Sequence, residues 1–242
     1  SCVPSAPGYE TAGADFDGAT IGALIGWPDM HGLAEVMDMG AVIARAPRMR
    51  GILQAALASG KPLCGHARGL TGAELQAFVA AGITSDHELT SAEDLMEKLR
   101  AGLWIELRGS HDHLLPEIAA RLAGLPHCPP TLTLCTDDTF PDDLARDGGL
   151  DDMLRRMIRY GLPPMRALQA ATLNAALRLA DRALLVVPGG STPGPVFDTL
   201  CGARVDWARI DVLPSDERWR PWRDQALQCR HQPNQPEHRS KR

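Results

Sequence analysis

The strongest constraint on this chain is a unit that recurs along it. A short apolar run ends in charged or imidazole side chains and gives way to a stretch with helical period. Leu132-Thr133-Leu134-Cys135-Thr136 ends in Asp137 and Asp138, then passes into a loop containing Pro141. Leu63-Cys64-Gly65 ends in His66, and Ile83-Thr84-Ser85-Asp86 ends in His87 and Glu88. Leu103 to Arg108, Leu33 to Met37 with Glu35 inside it, and residues 20–25 are further runs of this kind. Between them, Pro47 opens a helical stretch in which Met49, Ile52, Leu53, Ala56 and Leu57 follow the helical period. Thr71 to Glu74 resembles a capping box before a helix to Ala81, and helices are also expected over 90–100, 114–122, 150–160 and 164–179.

Strand alternating with helix at intervals of about thirty residues predicts βα units on a parallel sheet. In a parallel barrel the residues at the strand ends line one mouth, whatever their separation in sequence. The expected fold is therefore α/β, a (β/α)8 TIM-type barrel, although six candidate strands fall short of its eight. From Ala183 the chain changes character, with Pro-Gly-Gly and Ser-Thr-Pro-Gly-Pro segments and a polar end. Residues 183–242 are expected to be an atypical tail, largely irregular, with the last dozen disordered.

Composition excludes several classes. A net charge of −5 and a pI near 5.9 argue against nucleic acid as a partner. No apolar run is long enough to span a bilayer, and Ser1-Cys2-Val3-Pro4 does not open a signal peptide. The six cysteines form no CxxC pair, which fits buried thiols in a reducing cytoplasm. A homo-oligomer stays open.

Glu35, His66, His87 with Glu88, and Asp137 with Asp138 would share the barrel mouth. Singly, each has a plainer reading: a hydrogen-bonded structural histidine, or a turn with Asp as helix cap. Two imidazoles and two carboxylates on successive strand ends instead suit a divalent metal. Such a metal lowers the pKa of bound water towards ~7 and supplies hydroxide, with Asp137 able to hold the metal and move the proton. This is hydrolysis, suited equally to an amide or to an amine leaving an aromatic ring.

The runs Gly32 to Met37, Gly65-His66-Ala67, Ala80 to Glu88 and Cys135-Thr136-Asp137-Asp138 closely resemble the adenine deaminases of the amidohydrolase superfamily, over about residues 1–180. The resemblance implies a metal-dependent barrel hydrolase that converts adenine to hypoxanthine and ammonia. It implies manganese or iron, with zinc a further candidate, as one or two ions. Carried over by position, Glu35 bridges the metals, His66 and His87 bind one of them, and Asp137 binds the other and shuttles the proton. Glu88 orients or protonates the purine. The segment Arg108-Gly109-Ser110-His111-Asp112-His113, with Asp138, contacts substrate, although a solvated polar loop accounts for it as well.

Two departures qualify the resemblance. No His-x-His pair precedes Glu35, so residues 1–182 are expected to be a partial barrel (about strands 3–8), with little deaminase activity by themselves. The stretch from Arg182 lacks the family pattern, as an out-of-frame reading would. The alternatives are a related amidohydrolase acting on another nucleobase or cyclic amide, and a non-catalytic remnant of the fold.

Overall fold

The computed structural model describes Ser5 and residues 7–179, 183–187, 198, 202 and 206–214. Helix α1 spans Gly18–Ile25, followed by β1 Leu33–Val36, α2 Met39–Ile43 and α3 Pro47–Ala58. Next come β2 Leu63–Gly65, α4 Gly72–Ala80, β3 Ser85–Asp86, α5 Ala92–Arg100 and β4 Trp104–Arg108. A 3₁₀ turn at Asp112–Leu114 leads into α6 Leu115–Ala123, β5 Leu132–Cys135, α7 Pro141–Asp147 and α8 Leu150–Arg159. Helices α9 Pro164–Ala171 and α10 Leu173–Leu179 precede β6 Ala183–Val187 and β7 Ile210–Pro214.

Strands β1 to β5 form one sheet in chain order, every neighbouring pair parallel. Among the described residues that sheet is open, with β1 and β5 at its edges, and β6 pairs only with β7 in a separate two-stranded sheet. The expected (β/α)8 barrel is therefore corrected to an open five-stranded parallel α/β sheet. Closure needs a matched set of tilted strands whose last pairs with the first. Here the strands are two to five residues long, and β5 does not return to β1.

Residues 20–25, expected as a strand, are helical. The Asp17 carboxylate accepts from Thr20 N at 2.8 Å and caps α1, while Ile21 and Ile25, four apart, are both buried. A short apolar run carries no periodicity that separates the two states, and here the cap decides. Gly18 lets α1 lie directly on α3, because a Cβ there would meet the Gly51 carbonyl at 2.6 Å. The Pro141 loop is instead a short helix with Pro at its start. The single helix expected over 164–179 breaks at Thr172 (φ −131°, ψ −76°), dividing α9 from α10. Most of the tail lies outside the described residues. Its described part includes β6 and β7, in register from Ala183↔Ile210 to Val187↔Pro214.

The capping box at Thr71 does not form; Gly72 N donates instead to Glu97 Oε1 of α5 at 2.7 Å. Similarly, Ala92 N at the start of α5 donates to Glu117 Oε1 of α6 at 2.5 Å. The core is continuous from α1 to α9. Phe78, Leu95, Ile105, Leu107, Leu122 and Met153 are all buried within it, so the sheet is anchored on the helix side by apolar packing.

Gly65, the last residue of β2, is enclosed: an added Cβ would lie 2.5 Å from Ile83 Cγ2 and 2.8 Å from both Phe78 Cε1 and the Ser85 carbonyl. The carbonyl belongs to the neighbouring strand and cannot turn aside. Gly65→Ala should therefore cost about 1–3 kcal/mol, as overpacking does. Urea unfolding should show a lowered midpoint at unchanged slope, and an unchanged midpoint would refute this reading of the strand contact.

Candidate metal centre

Parallel strands bring their C-terminal ends to one edge of the sheet. Glu35 lies near the end of β1, His66 directly after β2, His87 and Glu88 directly after β3, Arg108 at the end of β4, and Asp137 two residues beyond β5. Glu35 faces both imidazoles: its Oε1 lies 3.3 Å from His66 Nδ1 and its Oε2 lies 3.1 Å from His87 Nε2. The two rings stand edge to face with centroids 5.4 Å apart. One ligand atom from each of Glu35, His66 and His87 lies within 4.8 Å of the others, a group that could hold a metal ion. His66 Nδ1 is buried, lies 3.3 Å from Glu35 Oε1 and makes no hydrogen bond. A buried ring nitrogen without a partner is costly unless a ligand completes it. One carboxylate and two imidazoles around such an atom fit a divalent transition metal.

Asp137 does not join that group. Its backbone is left-handed (φ +58°), a conformation Asp tolerates better than most residues, and its carboxylate meets Arg108 Nε at 2.6 Å. Arg108 is the hub of the second half of the site. Its guanidinium also bonds Glu88 Oε1, Asp138 Oδ2 at 2.5 Å and Ser110 Oγ at 2.7 Å. Arg68, not anticipated from sequence, holds the other Glu88 oxygen at 2.6 Å.

Glu88 is 3% exposed. Burial pushes its carboxyl up, but the hydrogen bond from Arg68 and the charges of His66, Arg108 and His111 outweigh it and hold it below the ordinary 4.5. Glu88 is therefore an anion and an acceptor at neutral pH. The His111 ring is lowered by burial and by Arg108, with Glu88 opposing, so it is neutral at pH 7. Cys135 beside Asp137 is pushed up to about 12 by burial and by that carboxylate, so it is a neutral thiol at pH 7. Arg178 of α10 reaches the sheet from far along the chain, pairing with Glu106 and lying 5.7 Å over the Trp104 ring. Nothing in the local sequence marks it.

Arg108 and Glu88 are both nearly excluded from water, at 9% and 4% side-chain exposure. Arg108→Met should cost about 1.5–3 kcal/mol at pH 7, since buried Glu88 loses one of its two cationic partners and keeps only Arg68. Because the folded Glu88 value is depressed, its contribution is complete above the ordinary value of 4.5 and is lost as pH falls through the folded one. The gap between parent and Arg108→Met should therefore narrow on acidification, as read by urea unfolding from pH 7 to pH 4. A constant gap would contradict the pairing.

Among the described residues no helix is long and apolar enough to cross a membrane. Residues 164–231 match the family of glucosamine-6-phosphate isomerases/6-phosphogluconolactonase, an α/β family distinct from the barrel hydrolases. That match and the five-stranded sheet together overturn the barrel expectation. Similarity to whole proteins lies elsewhere. The chain is 62% identical over 203 residues to adenine deaminase 2 of Agrobacterium fabrum, covering 84% of the chain and 34% of that protein. It is 64% identical over 201 residues to adenine deaminase 2 of Rhizobium meliloti (83% and 34%) and 55% identical over 201 residues to adenine deaminase of Klebsiella pneumoniae (83% and 33%). The chain thus spans about a third of the length of the curated relatives it matches. At these identities the chain is similar to adenine deaminases over a stretch that matches about a third of their length.

Proposed function

We propose that this chain carries part of the active site of a metal-dependent hydrolase that converts adenine and water to hypoxanthine and ammonia, in purine salvage. The convergence of Glu35, His66 and His87 within 4.8 Å is the observation that carries the reading. The name shared by its relatives supports adenine as substrate. Glu35, His66 and His87 would hold the ion, with Mn2+ or Fe2+ first and Zn2+ next. When bound, such an ion supplies Lewis acidity and makes water acidic enough to react near neutral pH.

The remaining residues bind and move protons. Glu88, fixed from two sides by Arg68 and Arg108, is an anionic acceptor that can orient a ring N–H of the purine. Asp137 stands at the strand ends as a carboxylate able to take a proton from the attacking water and return it to the departing amine. Arg108 holds it in place. His111, neutral at pH 7, and Ser110 offer the hydrogen-bonding edge for the base. Transfer to the amine makes ammonia the leaving group, so the balance needs no further reactant.

Equilibrium dialysis against Mn2+, Fe2+ and Zn2+, with ammonia release from adenine, tests the reading on this chain and on any longer product of its gene. Metal binding should be abolished in His66→Ala/His87→Ala. Ammonia should come from adenine faster than from other nucleobases or cyclic amides. Metal retained by the double variant sinks the site. A metal-loaded protein that ignores adenine sinks the substrate and leaves the related hydrolases. A chain that binds no divalent ion is the remnant.

A further inference from the structure

The two imidazoles sit just beyond a very short strand ladder. Strands β2 and β3 are registered through a single pair, Cys64↔Ser85. Past that pair, a side chain takes over from the backbone. Asp86, fully buried, accepts from Ala67 N at 2.7 Å and from Glu88 N at 3.2 Å, both on the same oxygen, Oδ1. Ala67 follows His66 and Glu88 follows His87, so one carboxylate oxygen joins the two residues next to the two imidazoles.

The other oxygen, Oδ2, faces Lys98 Nζ at 2.8 Å. Lys98 is also fully buried, and its ammonium bonds the Glu88 carbonyl at 2.7 Å and Asp94 at 3.1 Å. Lys98 thus donates two hydrogen bonds and pairs by charge with Asp86 Oδ2, so two of its three contacts return to the His87 segment or to the residue that holds it. Asp94 belongs to the same cluster but faces the start of α5, where it accepts from Thr90 N and Thr90 Oγ1. A buried ionic cluster is weak evidence for stability, since an apolar replacement often serves as well. Its geometry here is what invites another role.

We propose that Asp86 is a positioning residue for the candidate metal centre: it sets the separation of His66 and His87 where the β2–β3 ladder ends, and Lys98 keeps it aimed. This rests on the metal reading above. Partners that orient metal ligands from behind typically change affinity by about 10–100-fold when removed.

The test uses the whole chain, with Mn2+ affinity measured by competition with a fluorescent chelator. Electron paramagnetic resonance of bound Mn2+ and the metal-free melting temperature are recorded alongside. Asp86→Ala should weaken Mn2+ binding by about 10–100-fold and alter the resonance spectrum. Asp86→Asn keeps an acceptor oxygen for Ala67 and Glu88 but turns an NH2 toward Lys98, so it should bind more weakly than the parent and more tightly than Asp86→Ala. Asp94→Asn removes a charge from the same cluster without touching either ligand segment, and it should also bind as the parent does. If Asp86→Ala does not fold, Asp86→Leu with Lys98→Met removes both charges at similar volume and should show the same loss.

Parental affinity in folded Asp86→Ala overturns the inference. So does an Asp86→Asn as weak as Asp86→Ala, or an equal loss in Asp94→Asn, which would make the role merely structural. A parent chain that binds no Mn2+ fails differently: it overturns the metal reading together with this one.

Discussion

Four carboxylates gather at one end of this sheet, and the arrangement depends on the cations set among them. Glu88, Asp137 and Asp138 all reach a single guanidinium, that of Arg108, and Arg68 takes the second oxygen of Glu88. Without those partners the like charges would repel, and burial would favour protonating Glu88. With them, Glu88 stays ionised in a dry setting, and Glu35 is left to face the imidazoles. One half of the site is closed by ion pairs made within the protein. In the other half His66 Nδ1 lies beside Glu35, buried and without a hydrogen bond, a state that His111 Nδ1 shares.

Much of this was legible in the residues because parallel strands convert sequence pattern into position. A short apolar run ending in His or Asp places that side chain at a common edge, and His66, His87, Glu88 and Arg108 all followed that rule. The rule says which edge a residue occupies and not whom it meets there. Asp137 was expected among the metal ligands, yet the structure gives its carboxylate to Arg108, twenty-nine positions away. Arg68 and Arg178 carried no local signal, since a guanidinium on a long stem finds its partner only after the chain has folded.

The larger errors concern topology. Closure of a sheet is a long-range property, and a repeating βα pattern is equally compatible with an open sheet. Residues 20–25 were ambiguous because an apolar run of that length fits a buried strand or one face of a helix. The Asp17 cap and the close contact of Gly18 with Gly51 resolve it. Thr172 interrupts a stretch whose apolar spacing continues through it, so periodicity alone joins α9 and α10. For residues 20–25 a side-chain cap and a close backbone contact, invisible to pattern, made the decision.

The starts of α4 and α5 are capped by borrowed carboxylates: Gly72 N by Glu97 of α5, and Ala92 N by Glu117 of α6. A helix capped by its own N-terminal residue can form alone. Helix α5 also has a cap of its own, Ser91 Oγ accepting from Asp94 N at 3.1 Å, so Glu117 adds to a start already satisfied. Helix α4 has no side-chain cap from its own first residue, so its first turn depends on Glu97 of the docked α5. The loops that carry His66 and His87 lie just before the capped starts. Loosening α5 would therefore loosen the start of α4 and, with it, the loop of His66 just before.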